Sequence, residues 1–261
     1  MNPLMIRYRA LALLVGAAAL SSCEKNAVQD ITGSLPASQI RFFNFGVNAP
    51  GVNFYADNTK MTAISSTTGT EATTGVTYGG VGSGGLYAGI EPGQHTFSGR
   101  IAATTDKDLA ISNVQANLEA GKRYTFYQSG IYNTTTKTVD AFVVEDVFPN
   151  EINYGAALVR FVNAISNSNP MTLYGTHTAD TTRTLVPIGG PVAYKAGGAF
   201  VAIPGGVYDL VTRHTGSTTN VISRAGVSFS PGRVYTITAR GDMTASSTSG
   251  NRPMLDNTAN R

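Results

Sequence analysis

The feature that most constrains this chain is that it repeats itself. Ile40-Arg41-Phe42-Phe43-Asn44 recurs as Val159-Arg160-Phe161-Val162-Asn163, and at the same offset Val52-Asn53-Phe54-Tyr55 recurs as Met171-Thr172-Leu173-Tyr174. Val76-Thr77-Tyr78 then matches Val192-Ala193-Tyr194, Gly93 to Phe97 matches Gly206 to Leu210, and Gly121 to Phe126 matches Gly232 to Ile237. Five collinear matches whose offset drifts only by small steps are the mark of one domain present twice, with loops of different length. Each copy is therefore limited to what about a hundred residues can build.

Those residues favour strands. Gly (29) and Thr (32) together make up almost a quarter of the 261 residues; β-branched Thr fits pleated sheet and Gly punctuates it. No long Glu/Lys/Ala/Leu run follows the first twenty residues, which argues against an all-α protein or a coiled coil. Alternating stretches in the first copy predict strands at 39–45, 52–56, 86–90, 94–101, 109–117, 122–129 and 139–145. About seven short strands per hundred residues indicate a sandwich. The expected fold is all-β: two tandem immunoglobulin-like antiparallel β-sandwich domains after a lipoprotein signal peptide. The divisions are a signal peptide at 1–22, a lipidated tether at 23–37, repeat 1 at 38–148, a linker at 149–155, repeat 2 at 156–242 and a polar C-terminal tail at 243–261. Pro253-Met254-Leu255 offers a short final strand as the alternative to a tail. Repeat 2 has no clear equivalent of the 139–145 strand.

Leu118-Glu119-Ala120-Gly121-Lys122-Arg123-Tyr124 and Phe229-Ser230-Pro231-Gly232-Arg233-Val234-Tyr235 look like the tyrosine corner of immunoglobulin-like sandwiches, whose phenol bonds to backbone upstream. Tyr124 and Tyr235 are thus read as structural. Taken together, the R-F-x-N opening, the following (V/M)-x-(F/L)-Y strand, the V-x-Y segment, the Pro92-Gly93 and Pro204-Gly205 turns and the A/P-G-K/R-x-Y-T block resemble the domain of unknown function 4397 family, twice over, across about 40 to 240. The resemblance implies an exported bacterial protein, often a lipoprotein, of β-sandwich character; it brings no activity and no catalytic residue.

The N-terminus reads as an address. Arg7 and Arg9 precede an eleven-residue apolar run, Ala10 to Leu20, too short for the ~20 residues that span a bilayer and right for a signal peptide. Leu20-Ser21-Ser22-Cys23 resembles the bacterial lipobox, which implies cleavage before Cys23 and its lipidation. Cys23 is the only cysteine, so an exported chain would have no internal disulfide and would rest on core packing. Glu24, rather than Asp, follows it, which points to the outer membrane. Without Arg7 and Arg9 the balance is 17 basic to 16 acidic residues, with no Lys/Arg cluster; nucleic acid is not an expected partner.

No catalytic signature is complete. Gly80 to Gly85 formally matches G-x-G-x-x-G, but Leu86 to Ile90 is a strand-like run stopped at Pro92, not the helix a dinucleotide needs. His95, His177 and His214 are far apart with no zinc spacing; no G-x-S-x-G nucleophile elbow is present; Asp106-Lys107-Asp108 lacks the rest of a calcium loop. No enzyme activity, cofactor or metal is expected. Candidate ligand-binding residues are tyrosines able to stack on sugar rings: Tyr78, Tyr87 and Tyr194, beside the long loops 58–85 and 175–199. Recurrence of Tyr78 and Tyr194 in both copies signals a shared core position or a duplicated site. The functional expectation is a non-catalytic cell-envelope lipoprotein acting as a binding or spacer module, held to the membrane by its lipid, with a glycan or envelope protein as partner. The alternative is an adhesion or polysaccharide-capture subunit of a surface assembly; a hydrolase with an unrecognised site stands third.

Overall fold

The computed structural model describes residues 38–62, 73–149, 151 and 153–260. The segments expected to be a signal peptide and a lipidated tether, Cys23 included, lie outside the described residues, as do residues 63–72 of the loop 58–85. Within the described part the fold is all-β, and the sequence repeat is a repeat of structure. Repeat 1 has β1 (Ser38–Val47), β2 (Val52–Ala56), β3 (Thr59–Lys60), β4 (Gly80–Val81), β5 (Ala88–Ile90), β6 (Gly93–Ile101), β7 (Ala110–Leu118), β8 (Arg123–Asn133) and β9 (Thr138–Glu145). Repeat 2 has β10 (Ala156–Asn163), β11 (Met171–His177), β12 (Val186–Val192), β13 (Ala196–Gly197), β14 (Val201–Pro204), β15 (Gly206–His214), β16 (Ile222–Phe229), β17 (Val234–Arg240) and β18 (Met254–Ala259).

Every strand of repeat 1 has its counterpart nine strands later. One sheet runs β4-β1-β8-β9, with β5 also on β1, and faces a second, β3-β2-β6-β7. The same orders recur as β13-β10-β17-β18, with β14 on β10, facing β12-β11-β15-β16. The sandwiches are not wholly antiparallel as expected. β1 runs parallel to β8 and β10 parallel to β17, in the same register: Ile40 opposite Tyr124, Val159 opposite Tyr235. A parallel pair needs a long crossover, and here the crossover is the rest of the sandwich. Gly82–Gly85 forms a single 3-10 turn between β4 and β5, not the start of a helix.

The closing strand of repeat 2 comes from the stretch read as a polar tail. β18 pairs antiparallel with β17 as β9 does with β8. It escaped alignment because the hairpin before it is long, 241–253, where repeat 1 turns through 134–137.

The R-F-x-N motif explains itself in this geometry. Alternation along β1 sends Ile40 and Phe42 into the core between the sheets with Phe54, Phe97 and Phe126, while Val159 and Phe161 do the same with Leu173, Leu210 and Ile237. The asparagines tie strand ends to the V-x-Y segments. Asn44 Nδ2 donates to the Val76 carbonyl (2.7 Å) and its Oδ1 accepts from Gly46 N–H; Asn163 likewise donates to Val192 (3.3 Å) and accepts from Ile165 N–H. The arginines point the other way. So do Phe43 and Phe45, yet β1 is buried on both faces, because a third apolar cluster, of Phe43, Phe45, Tyr127, Phe142, Val162 and Ala164, joins the repeats.

Candidate functional site

Arg41 and Arg160 occupy equivalent places on β1 and β10, on the faces the repeats turn toward each other. Arg41 Nε donates to Thr125 Oγ1 (2.9 Å) and Arg160 Nε to Thr236 Oγ1 (3.0 Å), again equivalent residues. Arg41 lies over the ring of Tyr87 (4.7 Å) and Arg160 over that of Phe200 (4.8 Å). Both guanidiniums converge on Asp146, the residue after β9. Arg160 Nη2 donates to its Oδ1; Tyr87 and Thr125 hydroxyls donate to Oδ2 at 2.5 and 2.7 Å; Arg41 Nη2 stands 4.0 Å away. The three charged side chains are 0 to 2% exposed. Two cations around one carboxylate leave a surplus positive charge in a medium that makes it costly. Loss of the carboxylate would be worse, because it strands both cations.

The residue at the corresponding place in repeat 2 is Asn260. Its N–H bonds the Val234 carbonyl as that of Asp146 bonds Arg123, both at 2.7 Å. Its Nδ2 donates to Thr236 Oγ1 at 2.8 Å. Its Oδ1, like Arg41 Nη2, is buried without a hydrogen-bond partner.

From Asp146 the chain continues as a strap, Val147 outward and Phe148 inward. Phe148 meets Tyr87 edge-on (6.4 Å) and Phe200 (5.6 Å), with Arg123 over its ring at 5.5 Å. A cleft lies on each side of the strap. One, about 560 Å³, is polar and lined by Lys122, Arg123, Glu145, Asp146 and Asn260. The other, about 510 Å³, is walled by Phe148, Leu158, Arg160, Ala199 and Phe200. Its aromatic rings and the cation beneath offer stacking and cation–π contact to a flat or apolar group. A third cleft, about 210 Å³, lies within repeat 2 between His177, Ile188, Ile203 and Tyr208.

The three candidate tyrosines all reach this junction, with much of their chemistry engaged there. Tyr194 exchanges a hydrogen bond with Ser129 (3.0 Å) and donates to Asp140 (3.2 Å), both in repeat 1. Tyr78 lies under the Arg240 guanidinium of repeat 2 at 4.8 Å, and Ser129 and Arg240 are equivalent positions on β8 and β17. Burial pushes the phenols of Tyr87, Tyr194 and Tyr78 up, Asp146 and Asp140 adding to the first two. Their recurrence thus marks a shared place in the contact between repeats. Tyr124 and Tyr235 accept hydrogen bonds from the N–H groups of Glu119 and Ser230, five residues upstream, at 3.0 Å each. The histidines stay apart: His95 bonds Asp57 and the Glu91 carbonyl, and His177 the Gly205 carbonyl.

Sequence reading missed the arginine–aspartate cluster. The signal was present in an arginine kept inside two apolar strand motifs, each paired with a threonine in the A/P-G-K/R-x-Y-T block.

No curated protein matches the chain. Among solved structures, the chain is similar to a candidate cell adhesion protein from Bacteroides ovatus, at 11% identity and a TM-score of 0.27 over 87% of this chain and 97% of that one; at that score the likeness carries no argument about function. The family described as "Domain of unknown function (DUF4397)" matches residues 38–174, just over half the sequence, covering all of repeat 1, β10 and the first part of β11. The chain belongs to that family.

Proposed function

We propose that this protein is a non-catalytic cell-envelope lipoprotein whose two copies of the family domain, the second being repeat 2, act together as one binding or spacer module. The observation that carries the reading is the apolar cleft beside the strap, walled by Phe148 of repeat 1 and by Leu158, Arg160, Ala199 and Phe200 of repeat 2: a ligand held there is held by the pair and by neither alone. In this reading Cys23 is the lipid anchor, residues 24–37 the tether, and the outer membrane the site. The wall of Phe148 and Phe200 over Arg160 suits the face of a sugar ring or an aromatic group of an envelope polymer.

Titration of the purified chain with envelope glycan fragments, followed calorimetrically, tests the site. Saturable binding that falls at least tenfold in Phe200→Ala, with the fold intact by circular dichroism, is expected. Binding indifferent to that change would refute the cleft, and turnover of any fragment would refute the non-catalytic reading. Shaving intact cells with an impermeant protease then assigns the face: loss of the domains places them outside, where adhesion or polymer capture becomes the reading.

A further inference from the structure

The charges around the strap do not cancel. Lys122 stands between Glu119 (2.9 Å) and Glu145 (3.2 Å), while Arg41 and Arg160 share the single carboxylate of Asp146. The surplus negative charge of the first group and the surplus positive charge of the second offset each other, which leaves two arginines over. Arg123 is half-buried on one side of the strap; its Nε donates to Gln39 (2.8 Å), its guanidinium lies over Phe148, and it lines the polar cleft. Arg233 is exposed on the other side. It lines a shallow recess that shares Pro149 and Leu158 with the apolar cleft, and its carbonyl accepts from the Leu158 N–H (3.0 Å). Among the described residues no carboxylate pairs with either arginine. A buried donor adds to the pull on an anion: Arg41 Nη2, in a side chain 1% exposed, has no hydrogen-bond partner. Asn260, at the place in repeat 2 that Asp146 holds in repeat 1, brings no second carboxylate to the cluster.

We propose that the polymer held at the strap is acidic: a carboxylate-bearing glycan whose ring packs on Phe200 in the apolar cleft while its carboxylate pairs with Arg233, a further carboxylate of the same polymer reaching Arg123 across the strap. The inference rests on the reading of the apolar cleft as a binding site and adds the charge of the ligand and the residues that select it. An arginine with no carboxylate of its own keeps its planar fork for a bidentate pair with a ligand; at Arg123 only Nε is engaged. A neutral ring would gain the aromatic wall alone, and a charge without a ring the arginines alone. An acidic sugar unit gains both. Because Arg233 stands at the rim, it selects among ligands more than it tightens binding.

The test separates charge from ring. The full chain in mild non-ionic detergent is titrated calorimetrically at about 50 mM salt, where exposed ion pairs are weakly screened. Three probes are used: an oligogalacturonate, the same oligomer methyl-esterified so that the rings stay and the charge goes, and polyglutamate, which has the charge and no sugar. The acid is expected to bind about tenfold tighter than its ester. Arg233→Gln should remove about fivefold of that preference, and Arg233→Gln with Arg123→Gln nearly all of it, each with affinity for the ester unchanged and the fold intact by circular dichroism. Phe200→Ala should abolish binding of both oligomers. Equal affinity for acid and ester, a preference untouched in the double variant, or polyglutamate bound as tightly as the oligogalacturonate would overturn the acidic ligand while a Phe200-dependent cleft still stands. Binding of neither oligomer, or binding indifferent to Phe200→Ala, would overturn the cleft reading and this inference with it.

Discussion

Replacing Asp146 by Asn changes one atom's chemistry and should be among the most damaging conservative substitutions in this protein. Its Oδ1 accepts from Arg160, and its Oδ2 accepts from Tyr87 and Thr125 while facing Arg41. An amide has one acceptor. If its oxygen keeps Tyr87 and Thr125, its NH2 meets Arg160 donor to donor; if flipped, two hydroxyl donors face the NH2. In either orientation two buried guanidiniums lose their counter-charge. Removing one partner of a buried pair costs roughly 3–5 kcal/mol, and for a body of this size each kcal/mol lowers Tm by about 2–4 °C. Thermal and urea unfolding by far-ultraviolet circular dichroism should therefore show Tm lower by about 6–20 °C. Removing the whole cluster, Arg41→Met with Asp146→Leu and Arg160→Met, should cost far less than the single change, because no charge is then stranded. A loss under about 1 kcal/mol for Asp146→Asn, or a triple variant worse than the single, would refute the reasoning.

Tyr124→Phe deprives the Glu119 N–H of its acceptor, and Tyr235→Phe that of Ser230; each should cost about 1 kcal/mol by urea midpoint. Gly99→Ala places a methyl against Gln128 and Ser112 in the core of repeat 1, an overpacking expected to cost about 1–3 kcal/mol, also read by urea unfolding. For His95, burial pulls the pKa down, but hydrogen bonds to Asp57 and to the Glu91 carbonyl outweigh it and hold the pKa above its ordinary value. The Thr96 N–H and His95 hold Asp57 below its own. The histidine's contribution is therefore full below its unfolded pKa and lost as pH rises through the folded value, while that of Asp57 is lost only as pH falls through its lowered value. His95→Gln should thus shrink the difference in urea midpoint between pH 5.5 and pH 8.5; an unchanged difference would contradict the pairing. Cys23→Ala should abolish acylation by intact mass and release the protein from the membrane pellet; retention in the pellet would refute the anchor.

Strand positions were legible where alternation was clean, as at 52–56, because a strand with one dry face writes a period of two into sequence. Pairing direction was not: nothing in Ile40 to Phe45 says whether its neighbour runs with it or against it, so the parallel β1–β8 pair was invisible. The two-residue strands β3 and β4 are too short to carry a pattern. The role of Arg41 was hidden for a different reason. An arginine on an apolar strand ordinarily marks the solvent side, and only the packed structure shows that this side is closed by another repeat. The recurrence of Tyr78 and Tyr194 was visible, but the contact between repeats that explains it is a property of two domains at once.

The lateness of β18 has a consequence for how the chain is made. Synthesis runs from the N-terminus, so repeat 1 has all nine strands once Glu145 has emerged, and can stand as a finished template, its arginine face bare, while the second half is still being built. Repeat 2 cannot be finished that way: until Met254 to Ala259 appear, β17, a stretch of β-branched and aromatic residues (Val234–Arg240), keeps one edge open to strands of other chains. A message broken off before codon 254 would yield a product with one sound domain and one adhesive seam. The last strand is thus what closes the β17 edge, and a chain ended before it is expected to aggregate where the full chain does not.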